Sequence, residues 1–405
     1  MSAGRIVPQV AMDALPISRL DELHTHLAAL LACPETPLDA GLCDEVELQL
    51  TGARRLTPAV TPLPSLLTDQ KETNIPPLLP TLLPPLTQIL LRSSTSAPAD
   101  PSPLLSLTTK LLRPLPLARV LALADAPTVL AALRSPLPGA NRLALAVLEK
   151  AARSPADAAL LSTLPELVAA LVARWLDVED VGVGERAGRV LGDVLATDCC
   201  HHVVRDAPPP AINGIEVVYR RQEPGHGRLW DLVLNSESIF ALIPQLCSPS
   251  STQNNDGNDA VPRRTERQVS LAQGRLLRLL PRLATLNLRA VTESAFPQLL
   301  PLPQSVARHT GCGLLQWAAL AMVDKADVLM HLSLVDFFET LVSVMRTAAV
   351  EDAPSPSTSV TGALVRAATA NDSLLKEALL GLPDRTVEEE AEPLRIYIGQ
   401  LLNGA

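Results

Sequence analysis

Apolar residues recur at three- and four-residue spacing along most of the chain, and this period predicts amphipathic α-helices. The clearest case is the stretch 164–198. Its first half places Leu167, Leu171 and Trp175 on one helical face, behind a proline that suits a first helical turn. Acidic residues and glycines at 177–184 then interrupt the period. The stretch therefore predicts two helices joined by a short turn.

The second helix of this pair is similar to the inner helix of a HEAT repeat. In that repeat a valine is followed four residues later by alanine and, after four more, by a Leu-Gly pair. The matching residues here are Val183, Ala187, Leu191 and Gly192. Gly184 departs from the pattern, which has arginine at that position.

One helix pair cannot bury its apolar faces alone, so the resemblance implies stacked neighbours. We therefore predict an all-α fold, specifically a HEAT/armadillo-like helical-repeat solenoid. An antiparallel helical hairpin within some other all-α fold is the alternative. A strand-like pattern is confined to residues 215–219.

Two local signals refine the helix boundaries. Ser18, with Asp21 three residues later, predicts a capping box at the start of the first helix. Prolines at 76, 80 and 84 conflict with the leucine period around them, so we expect a kinked helix there.

Changes in composition divide the chain into five segments. The polar stretch Ser248–Ala260 has almost no apolar residue, and we expect it to be disordered. The segments are Pro-rich N-terminal helical repeats at 1–92, a linker at 93–103, central HEAT-like repeats at 104–247 with an irregular insertion at 205–228, a disordered loop at 248–263, and C-terminal HEAT-like repeats with a capping helix at 264–405.

Charge and composition exclude some functions. The net charge of −9 argues against general nucleic-acid binding, which needs clustered Lys and Arg. Five prolines interrupt the uncharged stretch 75–91, so we expect no membrane span there, and the N-terminus lacks a secretory pattern. The six cysteines form no disulfide or zinc framework, which favours reduced thiols in the cytoplasm or nucleus.

A Cys-Cys-His-His run at 199–202 contains residue types that bind zinc. Adjacent residues of a helix point about 100° apart, so these four cannot converge on one ion. Phosphate-binding, dinucleotide-binding, G-x-S-x-G and HExxH motifs are absent from the sequence. We predict no catalytic residue, metal or cofactor, and keep a Cys- or His-centred enzyme as a rival.

Charged residues on two predicted helices are the candidate partner contacts. Arginines follow one face of the helix that starts near residue 264, and leucines occupy the opposite face. This pattern predicts an electropositive strip for an acidic partner, or else the solvated side of an amphipathic helix. Other polar residues project from the inner helix of the 164–198 pair, off its apolar side. The six candidate residues are Arg186, Arg189, Asp193, Arg275, Arg278 and Arg282.

Ordered motifs across residues 140–402 resemble a known family. The middle of the chain contributes Arg228, Leu229, Trp230, Ile239, Phe240 and Cys247. The last third contributes Gly311–Leu320, Leu329, Met330, Ser333, Val335, Phe337, Phe338, Leu341, Val342, Leu364, Val365, Arg366, Ala367, Leu394, Arg395 and Tyr397. The family is that of non-ATPase subunit five of the 26S proteasome and its fungal counterpart.

This resemblance implies a HEAT-like, non-catalytic chaperone. Such a protein binds the C-terminal domain of one ATPase subunit of the proteasome base, holds assembly intermediates with other base subunits, and leaves when the base docks on the core particle. We accordingly expect a monomer when free, in cytoplasm and nucleus, without a membrane partner. The fungal branch carries a DNA mismatch repair label. The alternative is a HEAT-repeat adaptor in nuclear transport or mismatch repair.

Overall fold

In the computed structural model, all regular secondary structure among the described residues is α- or 3-10 helix, so the all-α prediction is confirmed. Whether the helices form a solenoid stays a prediction. The strand-like stretch 215–219, most of the irregular insertion and nearly all of the predicted disordered loop lie outside the described residues. The described residues are 17–33, 36–50, 75–96, 100–200, 224–248, 264–348 and 359–403.

The chain divides into two compact units. The first comprises residues 1–123 and 139–146, and the second comprises 124–138 and 147–405. The described helices of the first unit are α1 (Leu20–Ala32), α2 (Ala40–Leu50), a 3-10 helix (Pro76–Leu78), α3 (Leu79–Ser96), α4 (Ser102–Leu112) and α5 (Leu117–Leu123). Residues of α7 (Pro138–Leu148) belong to both units.

Leucines from successive helices form the core of the first unit. Leu27 of α1, Leu86 of α3 and Leu107 of α4 are almost completely buried, as is Val46 of α2. Helix α2 packs against α4, and α1 packs against α3. The period of apolar residues thus identifies the buried face of each helix.

Two local features of this unit differ from the sequence predictions, and a third agrees with them. The capping box at Ser18 is wrong: helix α1 begins at Leu20, and the Ser18 backbone N–H donates to Gln49 Oε1 at 2.7 Å. Helix α3 contains Pro84 and Pro85, in agreement with the predicted helix, and the kink there stays a prediction. The linker predicted at 93–103 is helical at both ends, because α3 extends to Ser96 and α4 begins at Ser102.

The second unit contains the remaining helices. The α-helices are α6 (Ala126–Arg134), α8 (Pro155–Ser162), α9 (Pro165–Asp177), α10 (Val181–Thr197), α11 (Arg228–Leu234), α12 (Glu237–Phe240), α13 (Leu242–Cys247), α14 (Glu266–Leu286), α15 (Leu288–Thr292), α16 (Gln304–Thr310), α17 (Leu314–Leu320), α18 (Val328–Ala348), α19 (Val360–Thr369), α20 (Ser373–Gly381) and α21 (Glu388–Asn403). Short 3-10 helices lie at Glu149–Arg153, Pro297–Leu299 and Pro383–Arg385.

The α9–α10 pair is the helix-turn-helix that the sequence predicts. Its predicted apolar residues, including Leu171, Trp175 and Leu191, are buried. The Val183 backbone N–H donates to Asp180 Oδ1 at 2.7 Å, so Asp180 caps α10 and ends the turn. Helix α14 packs against both members of the pair, and α18 packs against α14.

Among the described helices, α18 has the length and apolar composition of a membrane-spanning helix. The bent pair α8 and α9 passes the same criteria only if both are counted as one span. Phe337 and Phe338 of α18 are buried against the rest of the second unit. A core helix of a globular domain meets the same criteria of length and composition.

A buried carboxylate joins three segments near the C-terminal end of the second unit. Asp372 accepts hydrogen bonds from Lys325 Nζ at 2.7 Å and His331 Nε2 at 2.9 Å. Its other oxygen accepts the Leu375 N–H and caps α20. Burial alone raises the pKa of Asp372, but these three hydrogen bonds outweigh it, and the pKa lies below its ordinary value.

We expect Asp372→Ala to lower the free energy of unfolding at pH 7 by about 1–3 kcal/mol, because a helix cap and a paired charge are lost. A depressed pKa stabilises the fold above the unfolded-state pKa of about 3.9. The difference between wild type and variant should therefore shrink as the pH falls through the folded-state pKa. Thermal unfolding at several pH values measures this. Asp336→Ala, at an exposed position of α18, is the matched control.

Candidate functional site

A groove between α10 and α14 is the site where four of the six predicted contact residues meet. Gly184, Gly188 and Gly192 lie four residues apart on the side of α10 that faces α9 and α14. A Cβ atom at Gly188 would lie 2.9 Å from Trp175 Nε1, and one at Gly192 would lie 2.7 Å from Arg282 Nη1. The missing side chains therefore let the neighbouring helices come close to the α10 backbone.

Arg275 forms the inner wall of this groove. Arg275 is only 5% exposed, and its Nη1 donates to Val178 O at 2.7 Å and to Trp175 O at 3.2 Å. These carbonyls belong to the end of α9, where the helix leaves acceptors unpaired. Burial lowers the pKa of Arg275, yet a guanidinium pKa is high enough to stay protonated. Arg275 thus caps α9 and fixes α14 against it.

Two arginines further along α14 form ion pairs with α10. Arg278 pairs with Glu185, and Arg282 Nη2 lies 2.7 Å from Asp193 Oδ1. Another predicted residue of α10, Arg186, pairs with Glu149 at 2.9 Å. These side chains are partly or largely exposed, so each pair contributes at most about 1 kcal/mol to stability.

Two donors in the groove have no partner among the described residues. Arg189 of α10 is exposed and forms no ion pair or hydrogen bond through its side chain there. The indole N–H of Trp175 likewise meets no acceptor in the described part of the chain, although the residue is 2% exposed. The groove encloses about 200 Å³ and is lined by Trp175, Gly184, Glu185, Gly188, Arg189, Arg275, Arg278, Leu279 and Arg282.

The six predicted residues have different outcomes. Arg189, Arg275, Arg278 and Arg282 line the groove, while Asp193 lies beside it as the partner of Arg282. The expectation that Arg275 belongs to an exposed strip is wrong, because its guanidinium is held by carbonyls of the α9 C-terminus. That these residues contact a partner stays a prediction.

Sequence reasoning missed Trp175 and Glu185 as groove residues. The sequence predicted that Trp175 lies in the core, and its ring is indeed buried. The apolar period gave no information about where its N–H points. The four-residue spacing of Gly184, Gly188 and Gly192 was a usable signal, since it marks a helical face without side chains.

Of the Cys-Cys-His-His run, Cys199 and Cys200 are described and neither lines the groove. Cys199 Sγ donates to Leu286 O at 3.2 Å, whereas Cys200 is exposed. His201 and His202 lie outside the described residues. Within the described ranges, no group of three or more His, Cys, Asp or Glu side chains is placed to hold a metal ion.

Comparison of the sequence with protein-family models and with curated proteins gives no match. The family resemblance therefore rests on the order of its motifs. In the structure these motifs stabilise helix packing: Trp230 Nε1 donates to Leu195 O at 2.8 Å, and Arg366 Nη1 donates to Leu401 O at 2.9 Å. None of the residues that carry the resemblance lines the groove.

We expect opposite effects from two Gly-to-Ala changes in the helices that form the groove. A Cβ at Gly184 would overlap the buried guanidinium of Arg275, so Gly184→Ala should destabilise the protein by about 1–3 kcal/mol. At Gly274 of α14 no atom lies within 4 Å of the new Cβ, so Gly274→Ala should stabilise it by about 0.5–1 kcal/mol. Thermal unfolding measures both, and a Gly184→Ala protein as stable as wild type would contradict the packing described.

Proposed function

We propose that this chain is a non-catalytic binding scaffold that assists assembly of the proteasome regulatory-particle base. In this proposal it binds the C-terminal domain of a base ATPase subunit and leaves when the base docks on the core particle. The ordered family motifs support the identity of the partner. The convergence of charged residues from α10 and α14 at one open groove supports a binding role.

The convergence is the observation that carries the binding role. Arg189 and Arg278 come from segments far apart in sequence, yet both line the groove. Arginine forms strong, directional hydrogen bonds with carboxylates and is common at protein interfaces. A surface of exposed ion pairs affects association rate and specificity more than affinity.

Moderate affinity suits an assembly chaperone. If docking on the core particle and chaperone binding exclude each other, each weakens the other by the same free energy. A chaperone bound mainly by exposed charged contacts is displaced at a smaller cost than one bound through a large apolar interface. The interaction should also weaken as salt rises, because exposed charges are screened.

We expect the tagged full-length chain to recover base ATPases, without core-particle subunits, from cell extract at moderate salt. Mass spectrometry identifies the proteins, and a second wash at high salt should reduce their yield. Mismatch-repair or nuclear-transport proteins recovered without any base ATPase would contradict the proposal and favour the adaptor alternative.

A charge-reversal pair tests the place of contact. Arg189→Glu with Arg278→Glu changes the groove, while Arg267→Glu with Arg308→Glu makes the same change of net charge at exposed positions outside it. We expect the groove variant to recover less ATPase than the control variant. Equal recovery would leave the scaffold function in place and move the contact elsewhere.

A further inference from the structure

The indole N–H of Trp175 has no acceptor among the described residues, although the residue is only 2% exposed. A buried indole N–H normally finds a partner, because leaving it unpaired costs free energy. Trp230 follows this rule by donating to Leu195 O, whereas Trp317, which is 1% exposed, also has no acceptor among the described residues and lies outside the groove lining. The Nε1–Cδ1 edge of Trp175 lies beside Gly188, where the absence of a side chain leaves it open to the groove.

Positive charge exceeds negative charge at the same place. The lining contains four arginines and one carboxylate, that of Glu185. Arg278 and Arg282 each have one carboxylate partner, whereas Arg275 is bound only to backbone carbonyls. Arg189 has no partner in the described part of the chain. The excess of positive charge among the lining residues favours an anion there, even though the chain carries a net charge of −9.

The size of the groove limits its occupant. A volume of about 200 Å³ is below the roughly 300–1,000 Å³ of pockets that hold small molecules and cofactors, and suits one side chain. A carboxylate has only acceptor oxygens, and the free groups here are donors. A guanidinium also matches a carboxylate geometrically. Extended binding of a nucleic-acid backbone would require many more basic residues.

We propose that the groove between α10 and α14 binds an aspartate or glutamate side chain of an acidic peptide segment in the partner protein. One carboxylate oxygen accepts the Trp175 indole N–H, and the Arg189 guanidinium neutralises the charge. We call this site the carboxylate seat. Arg278 and Arg282 lie at its border, each paired with a carboxylate of α10. The inference deepens the proposed function and rests on the partner being a protein.

Fluorescence anisotropy with the full-length chain tests the seat. The probe is a fluorescein-labelled peptide, Gly-Glu-Glu-Asp-Glu-Glu-Gly, and its control has Gln and Asn in place of Glu and Asp. We expect the acidic peptide to bind and the neutral one to bind much more weakly. Arg189→Ala should raise the Kd of the acidic peptide at least about threefold, because a charged hydrogen bond is lost. Arg189 is exposed and unpaired within the described structure, so this variant should fold normally.

Two further variants distinguish specific binding at the carboxylate seat from general attraction between opposite charges. Trp175→Phe keeps an aromatic ring but removes the N–H, and it should also raise the Kd. Arg267→Ala removes one exposed positive charge of α14 outside the groove, and the Kd should stay close to that of wild type. Equal weakening by Arg189→Ala and Arg267→Ala would overturn the inference, as would tighter binding of a single-stranded oligonucleotide of the same charge.

The peptide-binding experiment and the pull-down experiment can fail independently of each other. If the chain recovers base ATPases but does not bind the acidic peptide, the carboxylate seat is wrong and the proposed function stands. If the peptide binds with the expected pattern but no base ATPase is recovered, the seat stands and the assembly function is wrong.

Discussion

The contact of the Arg275 guanidinium with the last carbonyls of α9 determines the geometry of the α9, α10 and α14 region. A buried guanidinium is costly unless its donors are paired, and here backbone carbonyls of the α9 terminus pair them. The same bonds satisfy acceptors that α9 would otherwise leave unpaired. Removing either partner therefore leaves the other buried and unsatisfied. The groove depends on this contact, because Arg275 positions the wall that α14 contributes.

The absence of a side chain at Gly184 and the burial of Arg275 depend on each other. A Cβ at Gly184 would occupy the space of the guanidinium, so the glycine is required for the cap of α9. Further along α10, Gly188 and Gly192 likewise leave space for Trp175 of α9 and Arg282 of α14. Glycine inside a helix lowers intrinsic helix stability. In α10 the glycines permit close packing against that cost, and Gly188 leaves the polar edge of Trp175 open to the groove.

The period of apolar residues predicted the α9–α10 pair and its buried face, and it could not predict which charges meet. Periodicity places Arg278 on a face of α14, but the pairing with Glu185 depends on how α14 crosses α10, which is a tertiary property. The same limit explains Ser18, whose backbone finds Gln49 on another helix instead of making a local cap. The sequence also could not predict the burial of Arg275, because a charged residue on the polar face of a helix is expected to be exposed to solvent.

The groove combines one fixed arginine with three that can accept a new partner. Arg275 cannot turn toward a ligand without uncapping α9. Arg278 and Arg282 are held by exposed ion pairs, and exchanging such a pair for a partner's carboxylate changes the free energy by at most about 1 kcal/mol. Arg189 needs no exchange. Binding should therefore leave the helices in place and proceed through side-chain rearrangement, which favours rapid association and rapid release. A rigid frame with exchangeable charges is what the proposed scaffold function requires, since such a scaffold must hold a partner and later release it.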